Sequence, residues 1–364
     1  MVVNQRVAVE KPRTEAELAR LLREAAAAGK AVVPVGGGRA SGMGGPLERC
    51  DVQLHTGGLD RVIEHSPADM VVSVEAGITL EVLQDELAAS GQFLPLDPFS
   101  SPGHTIGGLL ATGLSGPLRL RYGSARDFLI GIRVALPDGR LASAGGRVVK
   151  NVSGYDLMKL HFGAMGSLGV IVAASFKLFP RPLRDVSLES RHGSIGDAWA
   201  AAEGALQMAM PPAALEVFSD GRVLARIFGS PDAVDVTARE LAWSLVANSV
   251  WQQHARSAPP LWARISVPRS ALRHVVEGLP VGATWWASPG VGVAHWSFVE
   301  EGARCAARAA AEAAGGSLVL LAAPDDMKRH VGAWGTPPQT LGVMRRLKDA
   351  FDPDRALNPG RFVV

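Results

Sequence analysis

Ser101-Pro102-Gly103-His104-Thr105-Ile106-Gly107-Gly108-Leu109-Leu110-Ala111-Thr112-Gly113 is the stretch whose reading decides the fold. It runs on through Arg121-Tyr122-Gly123-Ser124-Ala125-Arg126-Asp127 and closes at Gly163-Ala164-Met165-Gly166-Ser167-Leu168-Gly169-Val170-Ile171. Glycines stand beside Thr, Ser and Tyr hydroxyls, with aliphatic runs of strand character between them. Where no Cβ intervenes, backbone can approach a large ligand closely. The ligand's phosphates are then held by main-chain N–H groups rather than by lysines. The stretch reads as a cofactor cradle.

Upstream, a short strand from Ala31 to Val35 feeds Gly36-Gly37-Gly38-Arg39-Ala40-Ser41-Gly42. A dinucleotide fingerprint from Gly36 would need glycine or alanine where Ser41 stands, and no long helix pattern follows. A nucleotide-triphosphate loop would need Lys then Ser/Thr after Gly42, where Met43-Gly44 stands. What remains is a turn rich in free N–H groups with one cation, Arg39. That suits a pyrophosphate, each charge-assisted bond contributing roughly 1.5–3 kcal/mol. A plain surface turn is the competing reading of this loop taken alone.

Composition narrows the class. The chain has 364 residues, 47% hydrophobic and 20% charged, with a formal net charge of +2. That length supports two cores. No Lys/Arg block offers the basic face that nucleic acid requires. Cys50 and Cys305 are far apart and in no ligand spacing, which argues against a disulfide framework, a zinc ribbon and a cysteine-ligated iron–sulfur cluster. Met1 to Arg13 holds no signal-peptide core, and no apolar run approaches a membrane span. The expectation is a cytoplasmic protein, peripheral to the inner face of a membrane only through partners.

The remaining elements follow from period and punctuation. Thr14-Glu15-Ala16-Glu17 is a capping box ahead of Leu18, Leu21, Leu22 and Ala25 on one helical face. Thr79 caps a helix bearing Leu80, Leu83 and Leu87, and Pro95-Leu96-Asp97-Pro98 is a stiff turn. Leu129–136 and Val170–178 read as buried strands, with a helix starting at Gly154-Tyr155-Asp156-Leu157 between them. Pro180-Arg181-Pro182 marks a boundary. Beyond it, 215–218 and 223–227 form a hairpin about Asp220-Gly221. Helices are expected at about 231–247, 270–278 and from Glu300, with strands at 261–267, 283–287, 291–298 and 317–322. Helices across one face of an antiparallel sheet result. A last helix places Leu341, Met344, Leu347 and Phe351 on one face.

With these residues in hand, the chain resembles the FAD-linked oxidases of the vanillyl-alcohol-oxidase type, which share a PCMH-type FAD domain. Within that family it is similar to the smaller flavin subunits of glycolate-oxidase complexes. The resemblance is carried by Pro34-Val35-Gly36-Gly37-Gly38, Val74-Glu75-Ala76-Gly77-Ile78-Thr79-Leu80, Phe93-Leu94-Pro95-Leu96-Asp97-Pro98 and Thr105-Ile106-Gly107-Gly108. Lys150-Asn151-Val152-Ser153-Gly154-Tyr155-Asp156 and the terminal Leu357-Asn358-Pro359-Gly360 complete it. It implies an α+β fold: a two-subdomain FAD-binding domain (residues 1–182), an antiparallel α+β cap (183–325) and a C-terminal segment returning to the FAD domain (326–364). On the same resemblance Val35, Gly36, Gly37, Gly38, Arg39, Ala40 and Ser41 hold the pyrophosphate. Pro98, Thr105, Ile106, Gly107 and Gly108 line the flavin side, and Thr112, Ser115 and Tyr122 follow along the cofactor. Gly166, Gly169, Val170 and Ile171 border the adenosine half, and Asn358 returns towards the flavin.

Departures from the family pattern shape the functional expectation. Arg39 stands where covalent members place a histidine, so FAD is expected to be non-covalent. Nothing matches the Gly-Asp-Gly-Asn-x-His metal motif of larger catalytic relatives; the nearest text is Gly290-Val291-Gly292-Val293-Ala294-His295, so no metal is expected and independent hydroxy-acid oxidation is disfavoured. The function implied is that of an FAD-binding subunit of a 2-hydroxy-acid (glycolate) oxidase, passing electrons to an iron–sulfur partner beside a larger homologous flavin subunit. The alternatives are a non-catalytic, FAD-stabilised assembly subunit and a stand-alone D-lactate-type dehydrogenase. Oxidation of a 2-hydroxy acid needs a base and a cation for the carboxylate. His295 and His104 are conceivable near the ring, and Arg226 and Arg264 could face a carboxylate. Core and solvated-strand roles are the plainer readings, and no catalytic residue is assigned.

Overall fold

The computed structural model describes residues 7–146, 156–256, 258–298 and 301–364. The motif from Lys150 to Tyr155 and the helix start at Gly154 lie outside them; the described helix nearby is Met158–His161.

Near the N-terminus a three-stranded parallel sheet runs in the order Ala8–Glu10, Val52–His55, Val32–Val35. The helix Glu15–Ala27 packs on it through Leu18, Leu22 and Ala25. Thr14 accepts the Glu17 amide at 3.1 Å, but the Glu17 carboxylate reaches back to the Arg13 N–H instead of the Thr14 N–H. The capping box is therefore displaced by one residue on one side. The C-terminal tail closes this sheet: Val32 N–H donates to Ala356 O, Asn358 N–H donates to Val32 O, and Leu357 enters the small core.

A five-stranded antiparallel sheet follows, ordered Val62–Ser66, Val71–Glu75, Val170–Lys177, Leu129–Ala135, Leu141–Gly145. The central strands are buried almost throughout, which explains why they read as continuous aliphatic runs. Helices Leu80–Ala88 and Ile106–Thr112 cover the main core, each capped by a threonine side chain, Thr79 and Thr105.

The cap is one eight-stranded antiparallel sheet. Its order is Ser244–Val246, Arg184–Arg191, Arg222–Gly229, Ala214–Phe218, Thr284–Ser288, Val293–Ser297, Trp262–Ser266, Ser317–Ala322. Side chains alternate faces with period two. Val223, Ala225, Ile227, Ala263, Ile265, Trp285 and Trp296 pack under the helices. Leu224, Phe228, Trp262, Trp286 and Val319 join the FAD-domain core instead. One correction concerns the expected helix 231–247. It ends at Leu241, where Ala242 adopts a left-handed φ of 54°, and Ser244–Val246 becomes an edge strand. A further helix, Ser249–Arg256, had no periodic signal.

Candidate functional site

The cradle is built where two loops meet. Gly36 and Gly37 follow directly on the strand Val32–Val35 and lie against Gly103–Thr105. A Cβ on Gly36 would overlap Thr105 Oγ1, and one on Gly37 would overlap the carbonyl oxygen of Gly103. Only glycine lets these segments close up. The N–H groups of Gly37, Gly38, Arg39 and Ala40 donate to no backbone carbonyl among the described residues. They border a cavity of about 240 Å³.

Most of the expected residues meet there. Val35, Gly36, Gly37, Gly38, Arg39, Ala40 and Ser41 form one wall, and Thr105, Gly107, Gly108 and Thr112 form another. Gly166, Gly169, Val170, Ile171 and Asn358 close the far side. Four residues fall elsewhere, two of them for a packing reason. Ile106 is a core residue under its own helix. Tyr122 sits in an aromatic cluster with Phe93, Phe179 and Phe228. Ser115 lines a second cavity, described below. Pro98 lines neither. In turn, Gln53 and Arg361 line the cradle without having been expected, and His104, conceived near the ring, lines it too.

Asn358 shows what the cradle still wants. Its backbone is left-handed, with φ 47°, and its Nδ2 donates to Met165 O at 2.6 Å. Its Oδ1 is buried and has no partner. A buried acceptor without a donor is costly, and the hydroxyls and N–H groups of FAD supply donors of the right kind. The glycine contact, the free amides and this orphaned oxygen together fit the FAD that the family resemblance implies. Cations lining the cradle are Arg39 and Arg361, and Arg361 also donates to Gly45 O at 3.0 Å. Lys328, in the separate helix Asp325–Val331, donates to Gly42 O. His104 donates from Nε2 to Phe99 O at 2.8 Å, and burial lowers its pKa below the usual imidazole range.

A second, smaller cavity of about 20 Å³ lies between the turn after the cradle helix and the inner face of the cap. Leu114, Ser115, Gly116 and the exposed Arg119 come from the FAD-domain side, with Phe99. Arg264, Ser288 and His295 come from cap strands. The Arg264 Nε is buried without a partner. Burial and the Arg119 guanidinium opposite lower the Arg264 pKa from its usual range. Two guanidiniums facing one space with no carboxylate is an anion site in outline. Arg226, the other expected cation, is taken: it forks onto Asp185 at 2.9 and 2.6 Å.

His295 is neutral and its tautomer is set. The Trp262 indole N–H donates to His295 Nδ1 at 3.1 Å. An indole can only donate, so Nδ1 holds the lone pair and Nε2 carries the proton. Burial drives the ring's pKa well down. His295 thus offers a hydrogen-bond donor, not a free base. Beside it Ser288 Oγ donates to Glu216 Oε1 at 2.6 Å, and burial raises the Glu216 pKa to about 8.

A larger hollow, about 510 Å³, is elsewhere, along the five-stranded sheet. Its charges are already paired, Arg61 with Glu75 at 2.8 Å and Arg133 with Glu15 at 3.0 Å, and it shares no lining residue with the cradle. Among the described residues no His, Cys, Asp or Glu cluster is placed to hold a metal, and no helix is long and apolar enough to cross a membrane.

Comparison with known proteins agrees with this geometry. A family model for FAD binding domains matches residues 7–145, and one for the C-terminal domain of FAD linked oxidases matches 327–362. Glycolate oxidase subunit GlcE of Escherichia coli (strain K12) is 31% identical over 332 residues, covering 88% of this chain and 89% of its own. A D-lactate dehydrogenase of Archaeoglobus fulgidus is 26% identical across 98% of this chain and 91% of its own. The solved structure of an alkyldihydroxyacetonephosphate synthase superposes with a TM-score of 0.70 at 17% identity, over 97% of this chain and 77% of that one. That last likeness is one of fold.

Proposed function

Because the chain belongs to the FAD-linked oxidases, the family of glycolate oxidase subunit GlcE, and is an FAD-dependent oxidoreductase, we propose that it acts on small 2-hydroxy acids. The observation that carries the substrate class is the pair of uncompensated guanidiniums, Arg264 and Arg119, at the cavity beside the cradle turn. D-lactate and glycolate enzymes among the relatives fit the same class.

In this reading the segments 1–182, 183–325 and 326–364 act as FAD domain, cap and returning tail. Gly36 to Ser41, with Arg39 and Arg361, hold the pyrophosphate; Thr105 to Gly108 and Thr112 run along the flavin side; Gly166 to Ile171 and Asn358 close over the rest. FAD is held without a covalent bond. It would supply the acceptor for the two electrons and the hydrogen lost from the carbinol carbon. Arg264 presents its planar fork to the substrate carboxylate, with Arg119 adding charge from the other wall. His295 donates from Nε2 and orients the acid. Phe99 and the tryptophans exclude water, which strengthens each of these contacts.

A second reading is an FAD-stabilised subunit that does not turn over alone, working beside a larger flavin subunit and an iron–sulfur subunit. The cavity's small volume, about 20 Å³, favours it, because that space takes little more than a carboxylate unless the cap or a partner adds room. An anaerobic spectrum of the purified chain with glycolate or D-lactate separates the two. Bleaching of acid-releasable flavin in the chain alone supports the first. Flavin that bleaches only after partner subunits are added supports the second. Failure to retain FAD even after reconstitution overturns both.

A further inference from the structure

We propose that Phe99 sets the size of acid that the anion cavity admits, an inference resting on the reading of that cavity as a carboxylate site. The cavity holds about 20 Å³. At roughly 10–15 Å³ per water-sized occupant, that is the space of one or two waters, and so of a carboxylate with little attached. Charge lies on two of its walls, Arg264 on one and Arg119 on the other. Phe99 supplies its phenyl wall, beside the His295 imidazole. In this proposal a substituent of the acid directed at that wall meets the Phe99 ring.

The ring is held in place from every side. Its centroid lies 4.8 Å from that of His295, 5.1 Å from His254, 5.5 Å from Trp286 and 6.0 Å from Trp262. The FAD domain thereby plugs an aromatic socket on the inner face of the cap. The backbone behind the ring is tethered at three points. His104 Nε2 donates to Phe99 O, Arg39 Nε donates to Ser100 O at 3.0 Å, and Ser100 N–H donates to Ala255 O at 2.6 Å. Ser100 itself sits at φ 66°, a left-handed conformation that non-glycine residues seldom adopt. A plug so anchored does not swing aside for a bulky acid. Excluding even one methylene group commonly changes discrimination by about ten-fold or more.

Isothermal calorimetry on the FAD-loaded chain tests this with two acids that are not oxidised, oxalate and phenylacetate. The wild-type chain is expected to bind oxalate and to bind phenylacetate at least about ten-fold more weakly. Phe99→Ala, which opens a ring-sized space, is expected to bring phenylacetate to within a few-fold of oxalate. If oxalate binds both proteins and phenylacetate is excluded by both, the role of Phe99 is overturned. If oxalate fails to bind the wild type, or binds Arg264→Ala equally well, the carboxylate site itself is overturned. Phe99→Leu keeps an apolar plug in the socket and covers the case in which the alanine variant does not fold. With it the same gain is expected for isobutyrate over oxalate, and no gain overturns the proposal.

Discussion

Gly37 and Gly42 stand five residues apart in one loop, yet they carry different burdens. A Cβ on Gly37 would overlap a backbone oxygen, which cannot move without parting the two loops of the cradle; one on Gly42 would meet nothing within 4 Å. Gly37→Ala is therefore expected to weaken FAD binding by about 100-fold or more, on the scale of a 1–3 kcal/mol overpacking cost added to lost contacts. Gly42→Ala should stay within a few-fold of wild type. Fluorescence titration of the apoprotein with FAD reads both, and equal losses would show that the loop tolerates neither or needs neither. The glycine run announced itself in the sequence because no other residue type has a reason to recur there. Arg361 and His104 did not. One lies more than 300 positions from the loop it meets, and the other was visible only as a neighbour of Thr105. The orientation of His295 was equally hidden, since its Nδ1 is filled by an indole 33 residues away.

Among the elements, six of the eight cap strands were legible, while Arg184–Arg191, Ser244–Val246 and the charged helix faces were not. Alternation in Val223 to Phe228 and Trp285 to Ser288 separates two buried faces, so the hairpin and the antiparallel cap could be read from period alone. The last helix, Leu341–Phe351, is the opposite case. Its apolar stripe stays half-exposed, while Lys348 is buried and ties the helix to the cradle. Lys348 Nζ donates to Asp352 Oδ2 at 2.5 Å, to Ser167 O at 2.8 Å and to Leu357 O at 3.1 Å. Asp352 in turn accepts the Ala356 and Leu357 amides at 3.0 and 2.8 Å. A lysine at i and an aspartate at i+4 look like a surface pair, and nothing local distinguishes this one. Burial makes the difference: removing one partner leaves an uncompensated buried charge, at a cost of roughly 3–5 kcal/mol. Lys348→Met is expected to lose that much in chemical denaturation, and Lys348→Met/Asp352→Asn to recover part of it. A loss under about 1 kcal/mol would reduce the pair to an ordinary surface contact.

For the molecule as a whole, the decisive surface is the one between cap and FAD domain, and it is polar in places where a core would be apolar. Glu216 from a cap strand is fully buried there, and Asp97, half-buried in the stiff turn before the cradle, lies near enough to act on it. Burial raises Asp97 to about 7 and Glu216 to about 8, and the charge of Asp97 further hinders ionisation of Glu216. The groups facing Glu216 are Ser288, which donates to it, and Asp97; Arg226 acts on Asp97 but is forked to Asp185. Folding holds the proton on Glu216 more tightly than the unfolded chain does. The folded state therefore binds more protons between the ordinary carboxyl range and about pH 8, and stability falls as pH rises across that window. Every ten-fold gain in proton affinity on folding corresponds to about 1.4 kcal/mol, so the loss is on the order of a few kcal/mol, complete above pH 8. Glu216→Gln keeps a partner for Ser288 and removes the ionisation. Near pH 5 the variant should match wild type; near pH 8.5 it should be the more stable of the two, as read by urea midpoints at both values. A difference that does not change with pH would mean that Glu216 stays ionised or is hydrated in the folded protein, and the cap would then meet the FAD domain across water rather than across a protonated carboxyl.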